Sequence, residues 1–214
     1  EFAPEIAREL ERRVSSAGVD RASDLLGDRI VVNVRSNAEA GQWIRILLQD
    51  SRQSGCLAFD TETQVPPELR APVPVATTPA GAIAARQPGD PADRYALDHR
   101  KGRVRLVQAY GGFSHVVLFD MNTVSWSTIA PLFHEPPALC LFNAGFDLKF
   151  LLAAGIEPTL RIYDTQLGMR LLDPCYRWPM AMKEAANLCL DIDLPKDLGD
   201  SDWSEDELTQ GQIT

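Results

Sequence analysis

Short apolar blocks alternate with longer amphipathic stretches along most of this chain, and the two periods predict different elements. Ile30-Val-Val-Asn-Val34, Cys56-Leu-Ala-Phe59, Arg103 to Tyr110, Ser114 to Phe119, Leu139-Cys-Leu-Phe142 and Leu160 to Tyr163 have the pattern of buried strands. Gly111-Gly112-Phe113 between two of these runs predicts a hairpin. Ile6, Leu10 and Val14 recur every four residues, which predicts an amphipathic helix over residues 3–17 with Pro4 in its first turn. A second helix is predicted from Asn37 to Asp50, capped by Ser36, with Trp43, Ile44, Leu47 and Leu48 inward. Further helices are predicted at Thr128–Phe133, from Asn143 through Asp147 to Ala154, at Thr165–Leu172 and at Met180–Leu188. Strands that alternate with helices after an initial meander predict an α/β domain, a mixed sheet flanked by helices on both faces.

The pattern breaks over residues 64–99, which hold seven of the fifteen prolines and many alanines. Prolines favour extended backbone there. The stretch reads as an insertion: a surface excursion on the plain reading, a lid or partner surface on the sharper one. Residues 1–29 read as a helical extension or linker, and residues 30–214 as one domain carrying that insertion.

Candidate chemistry lies where apolar strands turn polar. Asp60 and Glu62 sit two apart at the end of a strand and so share a face. Two adjacent carboxylates repel unless a cation lies between them, and hard oxygen ligands suit Mg²⁺ or Mn²⁺. Asn143 follows the next apolar strand as a helix cap, and Asp147 falls about one turn into that helix. Asp164 opens a later helix and reads as its cap. Arg103, Arg105, Lys149 and Arg170 are basic residues near these segments and read as ordinary solvent-facing charges.

Phe59-Asp-Thr-Glu-Thr63 and Asn143-Ala-Gly-Phe-Asp147 resemble the first two motifs of the DEDD 3′–5′ exonucleases. That superfamily includes ribonuclease D and the proofreading domains of DNA polymerase I-like enzymes. Gly102 to Gln108, Tyr163-Asp-Thr-Gln-Leu167 and the run from Asp193 to Gln212 are similar to its intervening segments. The resemblance implies a ribonuclease H-like fold and a site holding two divalent cations, Mg²⁺ or Mn²⁺. In it Asp60 would bridge both ions, Glu62 hold one and Asp147 support the other. Asn143 and Phe146 would contact the terminal nucleotide of a single-stranded nucleic acid 3′ end. The implied activity is hydrolysis to nucleoside 5′-monophosphates, with DNA favoured over RNA by the Asn-x-x-Phe-Asp form of the second motif. The family's third motif, Tyr-x-x-x-Asp, does not occur after Trp203, and the chain begins Glu1-Phe2. The expectation is therefore a segment of a larger polypeptide, with a polymerase or another domain as neighbour. The chain alone is expected to fold but to be weak or inactive. The competing expectation is an inactive exonuclease-fold module for nucleic-acid binding or scaffolding.

Composition changes this picture little. A chain of 214 residues that is 45% hydrophobic and 24% charged is typical of globular domains. No run approaches the ~18 apolar residues of a membrane span, so no membrane partner is expected. Cys56, Cys140, Cys175 and Cys189 are far apart, a spacing that predicts free thiols and a cytoplasmic setting. His99, His115 and His134 match no zinc spacing. The net charge is −9, of which residues 191–214 carry −7 with eight acids and one lysine. That argues against a general basic grip on nucleic acid. It leaves binding through metal-neutralised carboxylates open.

Overall fold

The computed structural model describes residues 29–69, 93–113, 115–172 and 181–192, together with Leu194 and Trp203. The predicted helix over 3–17, residues 70–92 of the insertion and nearly all of the acidic tail lie outside the described residues.

Six strands form one sheet: β1 (Ile30–Val34), β2 (Leu57–Gln64), β3 (Arg103–Tyr110), β4 (His115–Asp120), β5 (Ala138–Leu141) and β6 (Arg161–Asp164), in the order β1-β4-β3-β2-β5-β6. β3 pairs antiparallel with both β2 and β4, whereas β1 with β4, β2 with β5 and β5 with β6 pair in parallel. Five strands therefore share one direction and β3 opposes them. Parallel neighbours need crossovers, and helices supply them. α1 (Asn37–Ser54) links β1 to β2, three positions away across the sheet, and α4 (Ala144–Ala153) makes the crossover between the paired strands β5 and β6.

The mixed sheet with flanking helices is the architecture the periodicity predicts. Differences lie at element ends. α1 is capped as expected, Ser36 Oγ accepting from the Glu39 N–H at 3.3 Å, but it runs to Ser54. It stops where Gly55 takes a left-handed conformation at φ 92°, a backbone state that favours glycine. The helix predicted at Thr128–Phe133 begins earlier, as α3 (Trp126–Ile129) under a Ser125 cap, and tightens into a 3₁₀ turn over Ala130–Phe133. Pro131 lacks the N–H that an α-helical turn would use there. The stretch beginning at residue 64 is not an excursion at its ends. β2 continues through Gln64, Val65 is buried, a 3₁₀ turn covers Pro67–Leu69 and the short α2 (Asp93–Ala96) precedes β3.

Burial along β2 alternates. Leu57, Phe59 and Thr61 are buried, while Ala58, Asp60 and Glu62 are half-buried on the other face. Phe59 meets Phe133 edge-on at 5.2 Å, and Leu47, Val107, Phe119, Leu139 and Leu151 complete the centre of the core. Cys56 and Cys140, expected inside, are half-buried, and both are free thiols. Arg105 corrects the expectation of a solvent-facing base. It is fully buried and ion-paired with Asp120, which also accepts from the Asn122 N–H at 3.0 Å. Arg103 does lie at the surface, paired with Glu68. Among the described residues no helix is long and apolar enough to cross a membrane.

Candidate active site

The two motifs meet because β2 and β5 are parallel neighbours, with Leu57 opposite Leu139 and Ala58 opposite Cys140. Their polar ends therefore emerge at the same edge of the sheet, Asp60 to Glu62 from β2 and Asn143 to Asp147 from the turn after β5. Asp147 is 1% exposed and so is not a solvated first-turn acid. Its Oδ1 accepts from the Thr61 hydroxyl at 2.6 Å and from the Thr61 N–H at 3.1 Å. The middle residue of Asp60-Thr61-Glu62 thus pins the helix acid to the strand that carries the other two.

Asn143 differs from its predicted role. It occupies the N-cap position in a left-handed conformation, φ 61° and ψ 51°, and its side chain makes no capping bond. Asp164 does the capping. Its carboxylate accepts from the N–H groups of Asn143 at 3.2 Å and Ala144 at 3.0 Å. It also accepts from Leu167 N–H at 3.1 Å, at the start of α5 (Thr165–Leu172). One carboxylate therefore holds the first turns of two helices. The Asn143 side chain is exposed, while Phe146 packs against Phe150 at 5.1 Å and against the core.

Asp60, Thr61, Phe142, Asn143, Phe146 and Asp147 line an open cleft of about 450 Å³, closed on its far side by Gln166 and by Met182 at the start of α6 (Met182–Leu190). An apolar hollow of about 330 Å³ continues past Asp60 along Ala58, Gln108 and Cys140. All five residues read from the motifs are thus placed around one edge of the sheet, four of them in the cleft wall. Glu62 stands beside it.

Electrostatics at this edge are those of crowded, partly dehydrated acids. Burial pushes the Glu62 carboxyl up to about 8, helped by the nearby charges of Asp60 and Asp147 and opposed by a hydrogen bond from Gln108. Burial likewise raises Asp147 to about 6, with Thr61 hydrogen bonds opposing and Asp60 adding to the rise. Asp60 is also raised by burial, against a bond from the Thr61 N–H. Buried carboxylates of which Asp60 raises the pKa of both Glu62 and Asp147 are the kind of donor set a hard divalent cation would relieve. Their arrangement is less complete than their chemistry. Among the described residues no group of three His, Cys, Asp or Glu side chains is set to hold a metal ion, and Asp147 Oδ1 is spent on Thr61.

Gln108, Thr61 and Gln166 border the candidate site, and the motifs did not single them out. Gln108 lies opposite Asp60 in the β2–β3 register, and its Nε2 donates to Glu62 Oε1 at 3.1 Å. A polar residue inside the apolar run Val104 to Ala109 was the available signal.

Order and direction of the strands, with flanking helices, define a ribonuclease H-like fold of the RNase D kind. Solved structures share it. Escherichia coli RNase D, described as an exoribonuclease involved in structured RNA processing, superposes with a TM-score of 0.60 at 16% identity, over 86% of this chain and 39% of that one. Trypanosoma brucei RNase D in complex with RNA U12 gives 0.60 at 16% identity, over 89% and 58%. Brucella melitensis NrnC with bound Mg²⁺ gives 0.52 at 17% identity, over 85% and 68%. This chain therefore spans about two fifths of the bacterial RNase D. No protein-family profile and no curated protein sequence matches it.

Proposed function

We propose that this chain is a metal-dependent 3′–5′ exonuclease domain that removes nucleoside 5′-monophosphates from the 3′ end of nucleic acid, DNA ahead of RNA. The observation that carries the reading is the meeting of Asp60, Glu62 and Asp147 at one sheet edge, beside an open cleft and close enough that the charge of Asp60 raises the pKa of the other two. A solvated strand end would not bury and crowd three acids. Divalent cations bound there would neutralise phosphate charge and bring the pKa of a bound water near 7. Asp60 and Glu62 are the principal ligands in this reading. Asp147, held by Thr61, acts from the helix side.

Asn143, with no capping duty in its own helix, is free to turn its amide to the terminal nucleotide. Phe146 lines the same cleft and would contact the base or sugar of that nucleotide. The preference for DNA rests on the Asn-x-x-Phe-Asp form alone. Two of the solved neighbours carry RNase in their names, so both polymers belong in the experiment. A second reading, a nucleic-acid-binding module without turnover, is favoured by one observation: the described acids do not form a complete metal-holding group. Single-stranded DNA and RNA labelled at either end, incubated with Mg²⁺ or Mn²⁺, separate the two. Metal-dependent shortening from the 3′ end supports the enzyme, and binding without shortening supports the module.

A further inference from the structure

A second cavity, of about 360 Å³, lies where β2 ends, β3 begins and β4 leaves the sheet. Its described lining shares no residue with the cleft around Asp60 and Asp147, yet the two are neighbours along α4. Phe146 lines the cleft, Phe150 lines the cavity, and their ring centroids are 5.1 Å apart. Trp126 and His99 add two more rings to the cavity wall, His99 meeting Phe150 edge-on at 6.4 Å. Small-molecule sites span about 300–1,000 Å³ and place a few polar groups among such rings.

The polar groups here are two interlocked amides. Gln64 is 4% exposed, and its Nε2 donates to Asn122 Oδ1 at 2.7 Å. Among the described residues this is the one bond that either side chain makes, so the Gln64 carbonyl and the Asn122 amino group are left over. A buried carbonyl without a donor costs free energy that packing gives no reason to retain. Asn122 is itself held in place. Its N–H donates to Asp120 Oδ1 at 3.0 Å, and Asp120 is ion-paired with the buried Arg105. An acceptor and a donor therefore stand fixed beside aromatic rings.

Every nucleobase carries a donor and an acceptor side by side on its edge, and aromatic side chains stack bases of any identity. The cation at the rim, Arg103, is paired with Glu68, so the base rather than a phosphate is the group this lining can read. We propose that the cavity is a nucleobase-binding site, separate from the terminal-nucleotide cleft. In it Gln64 and Asn122 engage the edge of the base, and Trp126, His99 and Phe150 supply the apolar wall. The base belongs either to a free nucleotide or to a strand whose 3′ end occupies the neighbouring cleft. No acid and no metal takes part, so the site stands whether or not the exonuclease reading does.

Calorimetric titration in chelator tests it on the unaltered chain, Gln64→Met and Asn122→Ala. The probes are adenosine and cytidine 5′-monophosphates, a short single-stranded oligonucleotide, and ribose 5-phosphate, which lacks the base. Gln64→Met removes the amide at constant length. Asn122→Ala trims an exposed side chain and serves if Gln64→Met impairs folding. Nucleotide or oligonucleotide affinity is expected to fall about 10-fold in each folded variant, as the loss of a hydrogen bond to a buried group implies. Ribose 5-phosphate should not bind. Mononucleotide binding that the variants weaken makes a free nucleotide the occupant, and weakening confined to the oligonucleotide makes it a base within a strand. Either result supports the site. An unaltered chain that binds none of the probes, affinities that both variants leave unchanged, or ribose 5-phosphate bound as tightly as the nucleotides overturns it.

Discussion

Asp60, Glu62 and Asp147 hold protons in the metal-free fold that an unfolded chain would already have released. Glu62 titrates near 8 and Asp147 near 6, both above the ordinary carboxyl range. The folded state therefore binds more protons than the unfolded state across this interval, and stability falls as pH rises through it. Without metal, the melting temperature should drop between about pH 5 and pH 8. Glu62→Gln should flatten that slope, and Mg²⁺ should oppose the drop by binding the ionised form. Thermal melts of both chains across pH, with Mg²⁺ and with chelator, read all three effects. A melting temperature that climbs over the same range would contradict the crowding. At this scale the three acids were legible because strand period and motif spacing name them. Thr61 and Gln108 were not, because their partners lie on other elements and depend on register.

Among the elements, the first turn of α4 matters most, since it carries Asn143, Phe146 and Asp147. Sequence named the correct helix and misnamed its cap. A cap inside the sequence is visible as Asn143 before an apolar run, but the residue took a left-handed conformation, and Asp164 from the end of β6 supplied the acceptor. That donation across 20 residues exists only because β5 and β6 are paired, with Leu141 opposite Asp164. Asp164→Ala removes caps from α4 and α5 together. It should destabilise the fold by about 2 kcal/mol, at roughly 1 kcal/mol for each cap lost. Urea unfolding checks this, and a loss within a few tenths of a kcal/mol would mean water replaces the carboxylate at both helices. The tightened turn after α3 and the extra turn of α1 have simpler causes, Pro131 and Gly55. Both residues were in plain view, but their effects act at boundaries, where periodicity is weakest.

Across the whole molecule, the alternation of strands and helices made the mixed sheet legible, whereas the strand order that brings the motifs together comes from the pairing itself. Fold class and motif acids were therefore the legible parts. The buried Arg105–Asp120 pair was not, since a lone arginine in a strand gives no sign of its partner. Removing either partner leaves a buried charge, a change that typically costs about 3–5 kcal/mol. β2 and β3 pair from Ala58 with Tyr110 through to Gln64 with Arg103. This ladder, which shifts register once between Glu62 and Thr63, motivates a prediction for the stretch between them. Deleting residues 70–92 and joining Leu69 to Asp93 through a short turn should leave the melting temperature nearly unchanged. A large drop would make those residues part of the core.

The central claim is metal-dependent removal of nucleotides from a 3′ end by the acids at the β2–β5 edge. The direct measurement is the time course of single-stranded DNA and RNA, labelled at the 5′ end, with the unaltered chain and with Asp60→Ala, in Mg²⁺, in Mn²⁺ and in chelator. A ladder of shortened products is expected that grows slowly and only with metal, releases nucleoside 5′-monophosphates and disappears in Asp60→Ala at equal folding. Equal ladders from the two chains, or shortening that persists in chelator, would contradict it.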